Sequence, residues 1–138
     1  MSMKNNKILF YLIVAVVSFF VYFNSLNNDF VFDDESVVQN NISIQTLSNI
    51  PKFFTAEEGF HKVIGRYYRP VVSSLYATDF ALWGLNPYGF HLTNVIIHVI
   101  ASVLLLMILL KLFGDYKYGM LSALIGALIF AVHPVHTE

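Results

Sequence analysis

Four carboxylates fall within seven residues in Asp29-Phe30-Val31-Phe32-Asp33-Asp34-Glu35. Paired carboxylates can take a proton as a general base, offer hard oxygens to a metal, or cap a short helix, here through Asp34. All three readings stay open on residue type, since exposed acidic loops are common. Position separates this cluster from an ordinary loop, because it directly follows an apolar run long enough to span a bilayer. A carboxylate beside lipid, partly desolvated and next to a second acid, has a raised proton affinity suited to deprotonating a hydroxyl.

Other groups carry their own chemistry. Arg66-Tyr67-Tyr68-Arg69-Pro70 is either an interfacial belt that anchors at the headgroup level or an arginine fork that holds a phosphate bidentately. His91, Asn94, His98 and Ser102 recur at spacings of three, four and four, which puts them on one face of a helix. Lipid cannot solvate such a face, so these residues either hydrogen-bond to neighbouring helices or, for His91 and Asn94, line a substrate cavity. In His133-Pro134-Val135-His136-Thr137-Glu138 the proline between the histidines argues against a zinc helix, and no metal site is assigned.

The elements that must position these groups are membrane helices. With 57% hydrophobic and 12% charged residues, the chain is far from the soluble average of about a quarter charged. A net charge of -1 without any Lys/Arg cluster leaves nothing to neutralise the phosphates of a nucleic acid. The absence of cysteine removes disulfides and thiol chemistry. The pattern predicts an all-α membrane protein with three transmembrane helices, at about 8–27, 90–111 and 117–134, and an outer loop over about 28–89. The third run is short and spans only if Lys117 snorkels. Its Gly119, Ala123 and Ala127, with Ser122 and Gly126, form small-residue faces for close helix packing. Lys4 and Lys7 before the first span, with Lys111 and Lys117 between the others, place the N-terminus in the cytoplasm and the long loop outside. Within that loop, Ile44, Leu47, Ile50 and Phe54 predict short amphipathic helices broken at Pro51. A second helix is expected over 71–83, with Val71, Val72, Leu75, Tyr76, Phe80, Leu82 and Trp83 on its apolar arc and Asp79 within that arc. The odd number of spans and the lack of a polar tail are those expected of a piece of a longer protein.

Taken in order, Phe30-Val31-Phe32-Asp33-Asp34, Tyr68-Arg69-Pro70, Gly84-Leu85-Asn86-Pro87-Tyr88-Gly89-Phe90-His91 with Asn94 and His98, and His133-Pro134-Val135-His136-Thr137-Glu138 resemble a known family. They are similar to the N-terminal part of the transmembrane and tetratricopeptide-repeat O-mannosyltransferases and their prokaryotic relatives, which are C-type integral-membrane glycosyltransferases. The resemblance implies that the whole of 1–138 is the N-terminal part of a transmembrane glycosyltransferase domain. It implies transfer of a sugar, a hexose such as mannose, from a polyprenyl-phosphate donor to a protein or other hydroxyl acceptor at the outer (periplasmic or lumenal) membrane face. By the same resemblance Asp33 and Asp34 are catalytic, while Glu35, Arg69, His91, Asn94, His133, His136 and Glu138 line the substrate site. No cofactor is assigned, although a divalent cation assisting the phosphate is compatible with the chemistry. Activity belongs to the longer protein, not to this piece alone. A reading from another class is a non-catalytic membrane anchor that presents a tetratricopeptide-repeat domain to protein partners.

The lysine distribution fixes a topology that labelling checks. A single cysteine at Ser36 should react with an impermeant thiol reagent from outside intact cells, and one at Asp115 should not; the reverse pattern would invert the orientation.

Overall fold

The computed structural model describes residues 3–55 and 68–134, and in these every regular element is helical. The chain divides into two compact units, Met1–Leu26 with Leu92–Glu138, and Asn27–His91.

The first unit is built from three apolar helices. Helix α1 covers Met3–Val21 and is followed by a 3-10 turn at Phe23–Asn27. In chain order, α2 (Ile50–Phe53) and α3 (Pro70–Trp83) belong to the second unit. Helix α4 runs from Pro87 to Phe113 and α5 from Gly119 to Val132. The stretch Lys7–Asn27 and helix α4 are each long and apolar enough to cross a membrane. Only 11% and 22% of their most apolar windows are buried, whereas the core helix of a soluble protein would be mostly covered. Large apolar side chains such as Leu12, Phe20, Ile100 and Ile108 point outward, which suits lipid as the solvent and identifies an integral membrane protein. The 14 residues of α5 rise roughly 21 Å, short of a core about 30 Å thick.

Small residues set the packing of α5. Gly119, Ala123, Ala127 and Ala131 recur every fourth position and are all buried. That stripe lets α5 approach α1 closely, and Ala123 and Ala127 share a core with Val14, Leu106 and Leu110. Helix α5 stops at Val132 because His133 precedes Pro134, which forces it into extended backbone (φ -71°, ψ 126°).

The second unit is tighter and less regular. A π-helical turn at Glu35–Gln39 leads through Asn41 to 3-10 turns at Ile42–Gln45 and Leu47–Asn49, and these pack with α2 against α3. Asn41 is fully buried and satisfied: its carbonyl oxygen accepts from the Ser43 amide at 3.0 Å, and its amide donates to the Val37 carbonyl at 3.0 Å. Of the residues expected on one helical face here, Ile44 is buried but Leu47 and Phe54 are exposed, and Phe53 takes the core position instead. The physical reason is the extended break at Thr46 (φ -136°), which together with 3-10 geometry shifts the register away from a 3.6-residue repeat. On α3, too, the buried side differs in part from the expected apolar arc. Asp79 is buried and Tyr76 and Phe80 pack on the core as that arc implies, but Ser73 and Ala77 are buried as well, whereas Val71 and Leu82 face outward. Small side chains are what the close approach of the 3-10 turns admits at Ser73 and Ala77. Gly84 ends α3 at a positive φ of 62°. At Gly89 a Cβ would overlap the Trp83 ring, so only glycine lets the first turn of α4 fold back onto the end of α3.

Ala127 has no room to grow. In the full-length protein, Ala127→Leu should cost about 1–3 kcal/mol through overpacking against α1. The outward Ile129→Leu should be neutral, and thermal unfolding in detergent compares the two.

Candidate active site

The acidic motif folds into a closed turn. The Asp34 amide donates to the Val31 carbonyl at 3.1 Å, and the Asp34 carboxylate accepts from the Val31 amide at 3.0 Å. Asp34 precedes the π-helical turn without capping it through its side chain, so the capping role gives way to a brace across the turn. Inside this loop Phe32 adopts a left-handed φ of 55° and is fully exposed. A bulky residue in that region is strained by about 1–2 kcal/mol, a cost met by the two bonds that close the turn. Asp33 is exposed, and no described residue hydrogen-bonds its carboxylate; its carbonyl instead accepts from the Ser36 and Val37 amides, both at 2.9 Å. Glu35 is exposed at the start of the π-helical turn.

Tyr76 on α3 gathers these charges. Burial first, and then the negative charge of Asp34 and Asp33, holds its phenol above the ordinary tyrosine range; Arg69 opposes and Asp79 adds to the effect. One phenol therefore senses three carboxylates and a guanidinium. Arg69 is exposed immediately before α3, where its carbonyl accepts from both the amide and the hydroxyl of Ser73, each at 3.0 Å. Asp79 is only 4% exposed and is engaged by its surroundings, as a carboxylate on a buried face must be. The Tyr76 ring lies 6.1 Å from that of Phe90, which in turn meets Phe30 edge-on at 5.4 Å. These aromatic contacts tie the acidic turn and α3 to the first turn of α4. Sequence reasoning placed Tyr76 only on an apolar arc; its signal, a tyrosine three residues before Asp79 on the same helix, points to no partner by itself.

The histidines divide. The Nε2 atom of His91 is buried without a hydrogen-bond partner among the described residues. Such an atom calls for a polar partner. Asn94 is exposed on α4. His98 bonds another helix, its Nε2 lying 3.0 Å from the Ala131 carbonyl, and Ser102 donates to the His98 carbonyl at 2.9 Å. His133 is exposed at the end of α5. His136, Glu138 and Arg66 lie outside the described residues, within which no group of three or more His, Asp or Glu side chains is arranged to hold a metal.

No family model matches the chain, and no solved structure does. Curated relatives do. The chain is 38% identical over 135 residues to the human protein O-mannosyl-transferase TMTC3, covering 92% of this chain and 14% of that protein. It is 31% identical over 141 residues to mouse protein O-mannosyl-transferase TMTC4 (92% and 19%) and 32% identical over 132 residues to Drosophila melanogaster protein O-mannosyl-transferase Tmtc1 (90% and 14%). A helical membrane fold and a turn of carboxylates thus coincide with homology to proteins named as glycosyl-transferring enzymes. Over this segment the chain is similar to the TMTC proteins, and it spans about one-seventh to one-fifth of the length of these relatives.

The raised Tyr76 pKa sets a pH test. The stability that protonated Tyr76 contributes is fully present below pH 10.0 and lost as pH rises through its raised value. Titration by phenolate absorbance should lose a late-titrating component in Tyr76→Phe.

Proposed function

We propose that the chain is the N-terminal part of a membrane glycosyltransferase that moves a hexose such as mannose from a polyprenyl-phosphate donor to a hydroxyl on a protein acceptor. The observation that carries this reading is the closed turn of carboxylates at Asp33 and Asp34, in a homologue of proteins named O-mannosyl-transferases. The donor class and the outer-face location rest on the acidic turn following a membrane-spanning stretch and on the lysines flanking the helices. In this topology α5, extended by Lys117 and the residues before Pro134, makes a third crossing.

The chemistry is attack by the acceptor hydroxyl on the anomeric carbon. A carboxylate takes the hydroxyl proton as the new bond forms, and the carbon–oxygen bond to the lipid phosphate breaks with its electron pair on the phosphate oxygen. Phosphate is a good leaving group, so its charge needs stabilising more than its oxygen needs a proton. Arg69 has the fork for that contact. Asp33, with its carboxylate free of described partners, is the better candidate for the base, while Asp34 holds the turn. Tyr76, kept protonated, is a hydrogen-bond donor for the sugar or the phosphate. Glu35, His91, Asn94, His133, His136 and Glu138 complete the proposed substrate contacts. A divalent cation, if the reaction uses one, would screen the leaving phosphate.

The two aspartates separate in one assay, mannose transfer from a labelled polyprenyl-phosphate donor by full-length protein at matched expression. Asp33→Asn should lower transfer about 100-fold or more, because the amide cannot accept the proton. Asp34→Asn keeps an oxygen for the Val31 amide and should fall by less than about tenfold. Wild-type rates in both would make the cluster structural and favour the anchor function.

A further inference from the structure

The last turn of α5 is closed by side chains from two other helices. A helix end leaves carbonyls without intrahelical donors, and Pro134 has no N–H to offer. The Ala131 carbonyl lies 3.0 Å from His98 Nε2 on α4, and the His133 carbonyl accepts the Tyr22 hydroxyl at 2.7 Å from the end of α1. A carbonyl only accepts, so His98 carries its proton on Nε2. The donors also brace one another: the Tyr22 and His98 rings meet edge-on at 4.8 Å, and Phe130 stacks on His98 at 5.8 Å with an interplanar angle of 17°. Tyr22 is only 8% exposed, and Leu26 and Val95 pack around it. In a membrane, where water does not replace a lost partner, two such bonds hold the helix end that Pro134 sets.

We propose that Tyr22 and His98 are positioning residues for the reaction: as a two-point latch they fix the end of α5 and so the point at which His133 and Pro134 leave the helix. The functional half of this proposal rests on the assignment of His133 to the substrate site, and the structural half does not. Neither residue touches substrate. Each acts through a backbone carbonyl, so only the donor atom matters, not the imidazole or phenol as an acid or base.

The test uses full-length protein reconstituted in bilayers, with polyprenyl-phosphate mannose as donor. His98→Leu and Tyr22→Phe should each lower kcat about tenfold with the donor KM little changed, since misplacement of a group by a fraction of an ångström has effects of this size. His98→Gln, whose amide N–H reaches as far as Nε2, should restore most of the rate. Ring nitrogen NMR should show His98 as the Nε2–H tautomer, with that proton protected from exchange in wild type and less protected in Tyr22→Phe. Wild-type turnover in both His98→Leu and Tyr22→Phe, or a His98→Gln no better than His98→Leu, would remove the positioning role. An Nδ1–H tautomer would remove the latch itself. A wild-type protein without mannose transfer would overturn the transferase function instead, and the NMR result alone would then decide the latch.

Discussion

Every interruption of helix in this chain exposes backbone polar groups, and the chain's solvent is in large part not water. The requirement that those groups find partners shapes the molecule more than apolar packing does. The end of α5 is satisfied by Tyr22 and His98, the passage between the π-helical and 3-10 turns by Asn41, and the acidic turn by the Asp34 carboxylate. In each case a side chain supplies what the next turn of helix would have supplied. The residues with most chemical potential are thus partly spent on architecture. Asp34 and His98 are the clearest instances, and Asp33, whose carboxylate has no hydrogen-bond partner among the described residues, is the exception.

The acidic turn and α3 act as one electrostatic body. Tyr76 is half-buried within the field of the Asp34 and Asp33 carboxylates, so its proton is retained where an exposed tyrosine would begin to lose it. A phenol held neutral beside negative groups is a donor that does not add to their repulsion.

The legible parts of the sequence were those with local causes. Apolar runs give the membrane stretches around Lys7–Asn27 and Pro87–Phe113, Pro70 and Gly84 bracket α3, and Pro134 ends α5. The small residues of α5 also pack as their spacing implies. What periodicity did not give is which side of α3 is inward. A rule that buries the largest apolar residues takes no account of how closely the neighbouring turns approach, so Ser73 and Ala77 are covered and Leu82 is not. The partnerships of Tyr22 with His133 and of His98 with Ala131 join residues far apart in the chain, and no local pattern announces them. In the candidate site the acidic motif and Arg69 were visible as residue types in order, while Tyr76 became visible only once its neighbours were placed.

The π-helical turn at Glu35–Gln39 has a consequence for how this segment tolerates change in length. Its Asn40 amide reaches the Glu35 carbonyl at 2.9 Å, one residue further than an α-helical bond would, so the turn holds a surplus residue. Deleting one position there would yield an ordinary α turn with its backbone bonds intact, yet it would swing Val38 out of the core it shares with Ile44 and Phe53. By this geometry a substitution at exposed Gln39 should be absorbed, whereas a one-codon loss should not. Between the acidic turn and Asn41 the count of residues is under tighter constraint than their identity.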